Sequence, residues 1–121
     1  MSKKEDKVYN LGNVKLLSEH VLKSASLVYQ TYGVLNRNKD NVILLPTFYT
    51  GTHKRNEGFI GTNRAIDPSK YFIISINMFG NGLSSSPSNA SHEQQGANFP
   101  PITLWDNVFC QNRLLKEVFG I

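Results

Sequence analysis

The chain holds a single cysteine, Cys110, among 121 residues, and it lacks any long apolar run. One thiol cannot form an intramolecular disulfide, so a bridge-stapled scaffold is excluded and a reducing, cytoplasmic setting is expected. The longest apolar stretches, Val42 to Leu45 and Tyr71 to Ile76, are strand-sized, against the about 20 residues that span a bilayer. No apolar segment follows the charged start either, as a signal peptide requires. Paired metal-ligand spacing such as His-x-x-x-His is absent, and Cys110 has no nearby partner, so no metal or other cofactor is expected. His20, His53 and His92 read as surface histidines. Neither the P-loop pattern nor Gly-x-Gly-x-x-Gly occurs, which argues against a nucleotide site.

Charge of one sign is nowhere concentrated. Thirteen Lys and Arg against nine Asp and Glu give +4, but the basic residues are scattered from Lys3 to Lys116 without forming a stripe. Nucleic acid is therefore not an expected partner, and with no spanning segment neither is a membrane. The densest run, Lys3-Lys4-Glu5-Asp6-Lys7, alternates in sign and reads as a frayed terminus over residues 1–7 rather than a phosphate-binding arm. With 40% hydrophobic and 18% charged residues the chain falls among folding sequences, and its length suits one domain over residues 1–121.

What is present reads as an α/β pattern. Residues from Lys7 to Gly33 carry Val, Leu and Tyr in short stretches split by Gly12-Asn13 and by Ser18-Glu19-His20, which predicts antiparallel strands, with a hairpin turn at Gly12-Asn13. Val42-Ile43-Leu44-Leu45 shows no polar alternation, as a strand buried on both faces would not. Tyr71 to Ile76 predicts a second such strand, after a turn at Asp67-Pro68-Ser69. Between them, Thr47 to Gly61 reads as a long loop with one helical turn. Gly80 to Pro101, rich in Gly, Ser, Asn and Pro, reads as a long functional loop. Thr103-Leu104-Trp105-Asp106 then fits a capping box. Leu104, Val108, Leu115 and Val118 with Trp105 and Phe119 predict an apolar stripe that packs on the sheet, with Gly120 as the C-terminal cap. Cys110 reads as a small packing residue in that helix. A crossover helix ordinarily returns the chain to the sheet, and the sequence stops at Ile121, so the sheet is expected to be incomplete.

Tyr32-Gly33-Val34-Leu35-Asn36, Thr50-Gly51, Gly61-Thr62-Asn63-Arg64-Ala65-Ile66-Asp67, Tyr71-Phe72-Ile73-Ile74 and the stretch from Thr103 to Ile121 occur in that order. Together they resemble the homoserine O-acetyltransferase group of α/β-hydrolase-fold proteins, from about Leu27 to the last residue. The resemblance implies the N-terminal part of that fold, ending before the nucleophile elbow: no Gly-x-Ser-x-Gly occurs, and the family's catalytic Asp and His come later still. It therefore implies no catalytic residue in this chain and no acyl-transfer activity by the chain alone. A full-length relative would carry out acyl transfer or ester hydrolysis through a Ser-His-Asp triad.

The resemblance also assigns the loop after the third strand, Phe48-Tyr49-Thr50-Gly51, a backbone role in the oxyanion hole, with Tyr49 as the candidate donor. Read from the residues alone, Phe48 and Tyr49 are equally well packing aromatics at a strand exit. Gly80, Gly82 and Ser84 fall in the Gly-rich loop after the fourth strand, near the site. Pro46-Thr47-Phe48-Tyr49 departs from the His-Ala-Leu usual in the acetyltransferases, and Gly80-Asn81-Gly82-Leu83-Ser84 departs from their Gly-Gly-Cys loop. The acceptor is thus as readily water as homoserine. The family's strand order would leave Val42 to Leu45 at an edge, where the expected partner is the rest of the same fold or a second copy of the chain. The competing reading is a non-catalytic interaction module that pairs through this open edge.

Overall fold

A computed structural model describes residues 5–48 and 51–121. Four strands, β1 (Lys7–Lys15), β2 (Val21–Tyr32), β3 (Val42–Pro46) and β4 (Phe72–Ile76), form one sheet in the order β1-β2-β4-β3. β1 and β4 each run antiparallel to β2, whereas β3 runs parallel to β4 from Val42 opposite Phe72 to Pro46 opposite Ile76. Among its described residues, the crossover between the parallel pair holds one short helix, α1 (His53–Asn56), continued as a 3-10 turn over Glu57–Phe59. A longer helix, α2 (Leu104–Leu114), follows the Gly- and Ser-rich stretch and ends in a π-helical turn, Leu115–Phe119.

The first hairpin turns later than the sequence suggests. Gly12 lies inside β1 at φ 75°, where the register with β2 shifts on either side of it, so it forms a bulge. The turn falls at Leu16 to His20, closed by the Glu19 N–H to the Leu16 carbonyl at 2.9 Å. Asn13 spends its side chain across the pair, its Oδ1 accepting the Ser24 N–H at 3.0 Å. At the start of the chain, residues 1–4 lie outside the described ones, and the rest of the charged run is tied down. The Glu5 carbonyl accepts from Gln30, Asp6 meets His53, and Lys7 donates to Thr31.

β4, flanked by β2 and β3, is buried at every residue, including Ser75, whose Oγ accepts from Asn56 Nδ2 at 3.1 Å. β3 is not: Val42 to Leu45 are only half-buried and Pro46 is exposed. The strand carries a central-strand sequence at the edge of the sheet, so its apolar side chains lack cover on one side. The core gathers Leu11, Val14, Leu22, Leu27, Ile74 and Ile76 with Cys110 and Leu114 of α2.

α2 sits on the sheet the other way round from its apolar stripe. Leu104 is 74% exposed, Val108 64% and Trp105 54%, and Val118 is exposed too. Only Leu115 and Phe119 of the stripe pack on the core, Phe119 edge-on to Phe72 with ring centroids 5.3 Å apart. The buried face is Asp106, Asn107, Cys110, Gln111 and Leu114. It is polar because it faces backbone that needs partners. Asp106 accepts the Leu17 N–H of the first hairpin turn, and Asn107 accepts the Phe79 N–H just past β4. An orphaned buried N–H would cost about 1–3 kcal/mol, so each of these two contacts favours turning the polar face inward. The ends of the helix follow the sequence closely. Thr103 and Asp106 form the capping box, and Gly120, at φ 66°, ends the last turn with the Ile121 N–H bonded to the Leu115 carbonyl.

Candidate functional site

In open α/β sheets ligands bind beyond the carboxyl ends of the parallel strands. Here those ends are Pro46 and Ile76, and the chain leaving each bounds one side of a cleft. Thr47 extends the ladder, its N–H bonded to the Ile76 carbonyl at 3.0 Å and its hydroxyl accepting the Met78 N–H at 3.0 Å. The two strand exits are thereby locked to each other. Past them opens a cleft of about 460 Å³ lined by Thr47, Phe48, Met78, Phe79, Gly80, Asn81 and Leu104.

Two of the sequence-derived site residues, Phe48 and Gly80, meet in this cleft. Tyr49 and Thr50 lie outside the described residues. The Gly51 N–H bonds to the Phe48 carbonyl at 3.0 Å, and a Cβ on Gly51 would strike the Phe48 ring. Arg55 of α1 stacks over the same ring, 5.2 Å from its centroid. Gly80 and Gly82 both have positive φ with open space around them, which suits a sharply turning loop.

Ser84 is placed differently. It is fully buried, and its Oγ donates to the Asn77 carbonyl at 2.7 Å while accepting the Val28 N–H at 2.8 Å. This hydroxyl stitches the Gly-rich loop to β2 and faces no solvent. Ser86 and Asn89 extend the stitching, each accepting a backbone N–H of the loop: Gly82 for Ser86 and Ser86 for Asn89.

His20 and His92 are exposed, as the sequence suggests, but His53 is 2% exposed. It opens α1, which follows in sequence the segment that carries the oxyanion candidates. Its ring lies between Asn77 and Asp6, with Nδ1 2.9 Å from Asn77 Nδ2 and Nε2 2.9 Å from Asp6 Oδ1. Sequence reasoning missed both His53 and Asn77. The only signal was a polar residue placed directly after the apolar run of β4. Among the described residues no three His, Cys, Asp or Glu side chains converge as metal ligands would.

Solved structures decide what this arrangement is part of. An acetylester hydrolase from Corynebacterium glutamicum superposes with a TM-score of 0.91 at 45% identity, over 97% of this chain and 34% of that one. The chain has the N-terminal part of an α/β-hydrolase fold. Among curated proteins, an ethyl acetate hydrolase from Pseudomonas veronii is 44% identical over 113 residues, 93% of this chain and 32% of the relative. A homoserine O-acetyltransferase from Nautilia profundicola is 37% identical over 120 residues, 85% of this chain and 33% of the relative. No family model matches. The chain spans about a third of the length of the relatives it matches. Esterases of this α/β-hydrolase fold and homoserine O-acetyltransferases are thus its homologues, as the ordered motifs imply.

Proposed function

We propose that the chain supplies the oxyanion-loop side of an acyl-transfer site for short acyl esters, acetyl esters foremost. The observation that carries this reading is the cleft at the carboxyl ends of β3 and β4, in which the loop after each strand contributes to one wall. Acyl transfer builds negative charge on the carbonyl oxygen, and one preorganised backbone N–H aimed at it is worth roughly 3 kcal/mol. The ethyl acetate hydrolase and acetylester hydrolase among the relatives support a small acyl group, and the acetyltransferase supports the same group with a different acceptor.

The 121 residues contain no Gly-x-Ser-x-Gly, so the nucleophile and its general base must come from other sequence. The chain alone should show no turnover of p-nitrophenyl acetate above a scrambled-sequence control, since loss of a triad costs on the order of 10⁶ in rate. Turnover should appear when the chain is co-expressed with the remaining two thirds of the acetylester hydrolase. Turnover by the chain alone that one point change abolishes, or silence of the complemented pair despite its assembly, overturns the reading.

A second reading, a module that pairs through an open strand edge, is favoured by β3 itself, half-exposed and without charge from Val42 to Leu45. Its test is the oligomeric state. Among the described residues no helix is long and apolar enough to cross a membrane. A cytoplasmic location is supported by the lone Cys110, buried as a free thiol.

A further inference from the structure

At the carboxyl end of β4 stands one side chain with no hydrogen-bonding capacity to spare. Asn77 directly follows β4 and is fully buried. A carboxamide offers two N–H donors and two acceptor lone pairs. Oδ1 accepts the backbone N–H of His53 at 2.9 Å and Nδ2 of Asn81 at 2.8 Å. Nδ2 donates to the Val28 carbonyl at 2.8 Å and faces His53 Nδ1 at 2.9 Å. These partners fix which way the amide points, because a backbone N–H can only donate and a carbonyl can only accept. With Nδ2 turned toward the ring, His53 Nδ1 must be the acceptor. Its ring proton therefore sits on Nε2, where it is donated to Asp6 Oδ1.

The consequence is a connected clamp. Asn77 reaches α1 through His53, the N-terminal segment through His53 and Asp6, the Gly-rich loop through Asn81, and β2 through Val28. Its own carbonyl takes the Ser84 hydroxyl as well. We propose that Asn77 is a positioning residue for the oxyanion loop, holding His53 as the Nε2–H tautomer and thereby fixing the start of α1, where that loop ends in sequence, against the end of β4. This inference rests on the assignment of that loop as an oxyanion donor. A polar residue that only filled space would not dictate the tautomer of its neighbour.

Long-range ¹H–¹⁵N spectra of the chain labelled with ¹⁵N-histidine, in solution or in the solid state, test the clamp without reference to catalysis. His53 should show an unprotonated Nδ1 and a protonated Nε2. Asn77→Asp removes both donors while keeping the acceptors, so Nδ1 should move into the protonated range. Asp6→Ala should leave Nδ1 unprotonated, because Asn77 sets the tautomer. A wild-type ring protonated on Nδ1 overturns the proposal whether or not any variant folds. So does an Asn77→Asp ring identical to wild type with the sheet amides intact, or a tautomer lost in Asp6→Ala. These spectra are independent of ester turnover, so an inactive complemented pair would count against the acyl-transfer reading, whereas a wrong tautomer would count against the clamp.

Discussion

Asp106 Oδ1 accepts the backbone N–H of Leu17 at 2.8 Å while its Oδ2 accepts the Thr103 N–H at 2.9 Å, so one carboxylate both closes the first turn of α2 and fastens the first hairpin turn. Burial pushes this carboxyl up, but the N–H groups of Thr103 and Leu17 and the Thr103 hydroxyl together outweigh that and hold it below the usual carboxylate range. A folded-state value below the unfolded one means stability that is fully present above about pH 4 and lost as pH falls through the folded value. Asp106→Asn should therefore destabilise the chain at pH 7 and flatten the acid limb of its stability profile. Asp106→Ala should cost about 2 kcal/mol by loss of the cap and of the Leu17 partner. Urea unfolding at pH 7 and pH 3 checks both, and an acid limb as steep in Asp106→Asn as in wild type counts against the assignment.

The inverted seating of α2 separates two substitutions that the sequence alone would rank alike. Leu114 is fully buried, so Leu114→Ala should cost about 2–5 kcal/mol. Val108 is 64% exposed, so Val108→Ser should stay within about 0.5 kcal/mol. Thermal melts of the two variants decide between this seating and one with the stripe turned inward.

Association should follow from the β3 edge. Leu44 and Pro46 line a cleft of about 470 Å³ with Trp105, Val108, Phe109 and Leu115 of α2 and its last turn, a continuous uncharged surface beside unpaired strand backbone. Dimers or larger assemblies are expected at tens of micromolar, and Leu44→Lys should shift the population toward monomer. Light scattering that finds a wild-type monomer, or an assembly indifferent to Leu44→Lys in a folded chain, refutes this.

Cys110 should be chemically silent in the folded chain. Its thiol is fully buried, and burial is the main cause that pushes it up to about 11. At pH 8 a disulfide reagent should react only as fast as the protein opens, and at the rate of a free thiol in urea. Prompt reaction of the native protein would show that α2 does not cover the sheet as described.

The sequence made legible what depends on local chemistry. The capping box at Thr103, the αL end at Gly120, the Asp67 turn and the buried β4 all rest on residues close in sequence or on a predominantly apolar run. What it hid depends on distant partners. His53 is buried because Asn77 and Asp6 are there to satisfy it, and no local pattern records that. Gly12 became a bulge because Ser18 to His20 offers the better turn. The face of α2 was misassigned because periodicity locates an apolar stripe but not the backbone N–H groups of Leu17 and Phe79 that draw the polar side inward.

The parallel pairing of β3 with β4 has a kinetic side. No tight turn can bring these strands together, since segment 47–71 must first close as a loop, and that entropy is lost before any ladder bond compensates. β1 and β2, joined by a short turn, can pair within microseconds. The hairpin is thus the expected first structure, and the most apolar strands of the molecule stay unpaired longest. In a chain leaving the ribosome, Val42 to Leu45 emerges before the strand that shields it, so the interval before β4 docks is when this protein is most exposed to misassembly and to chaperones.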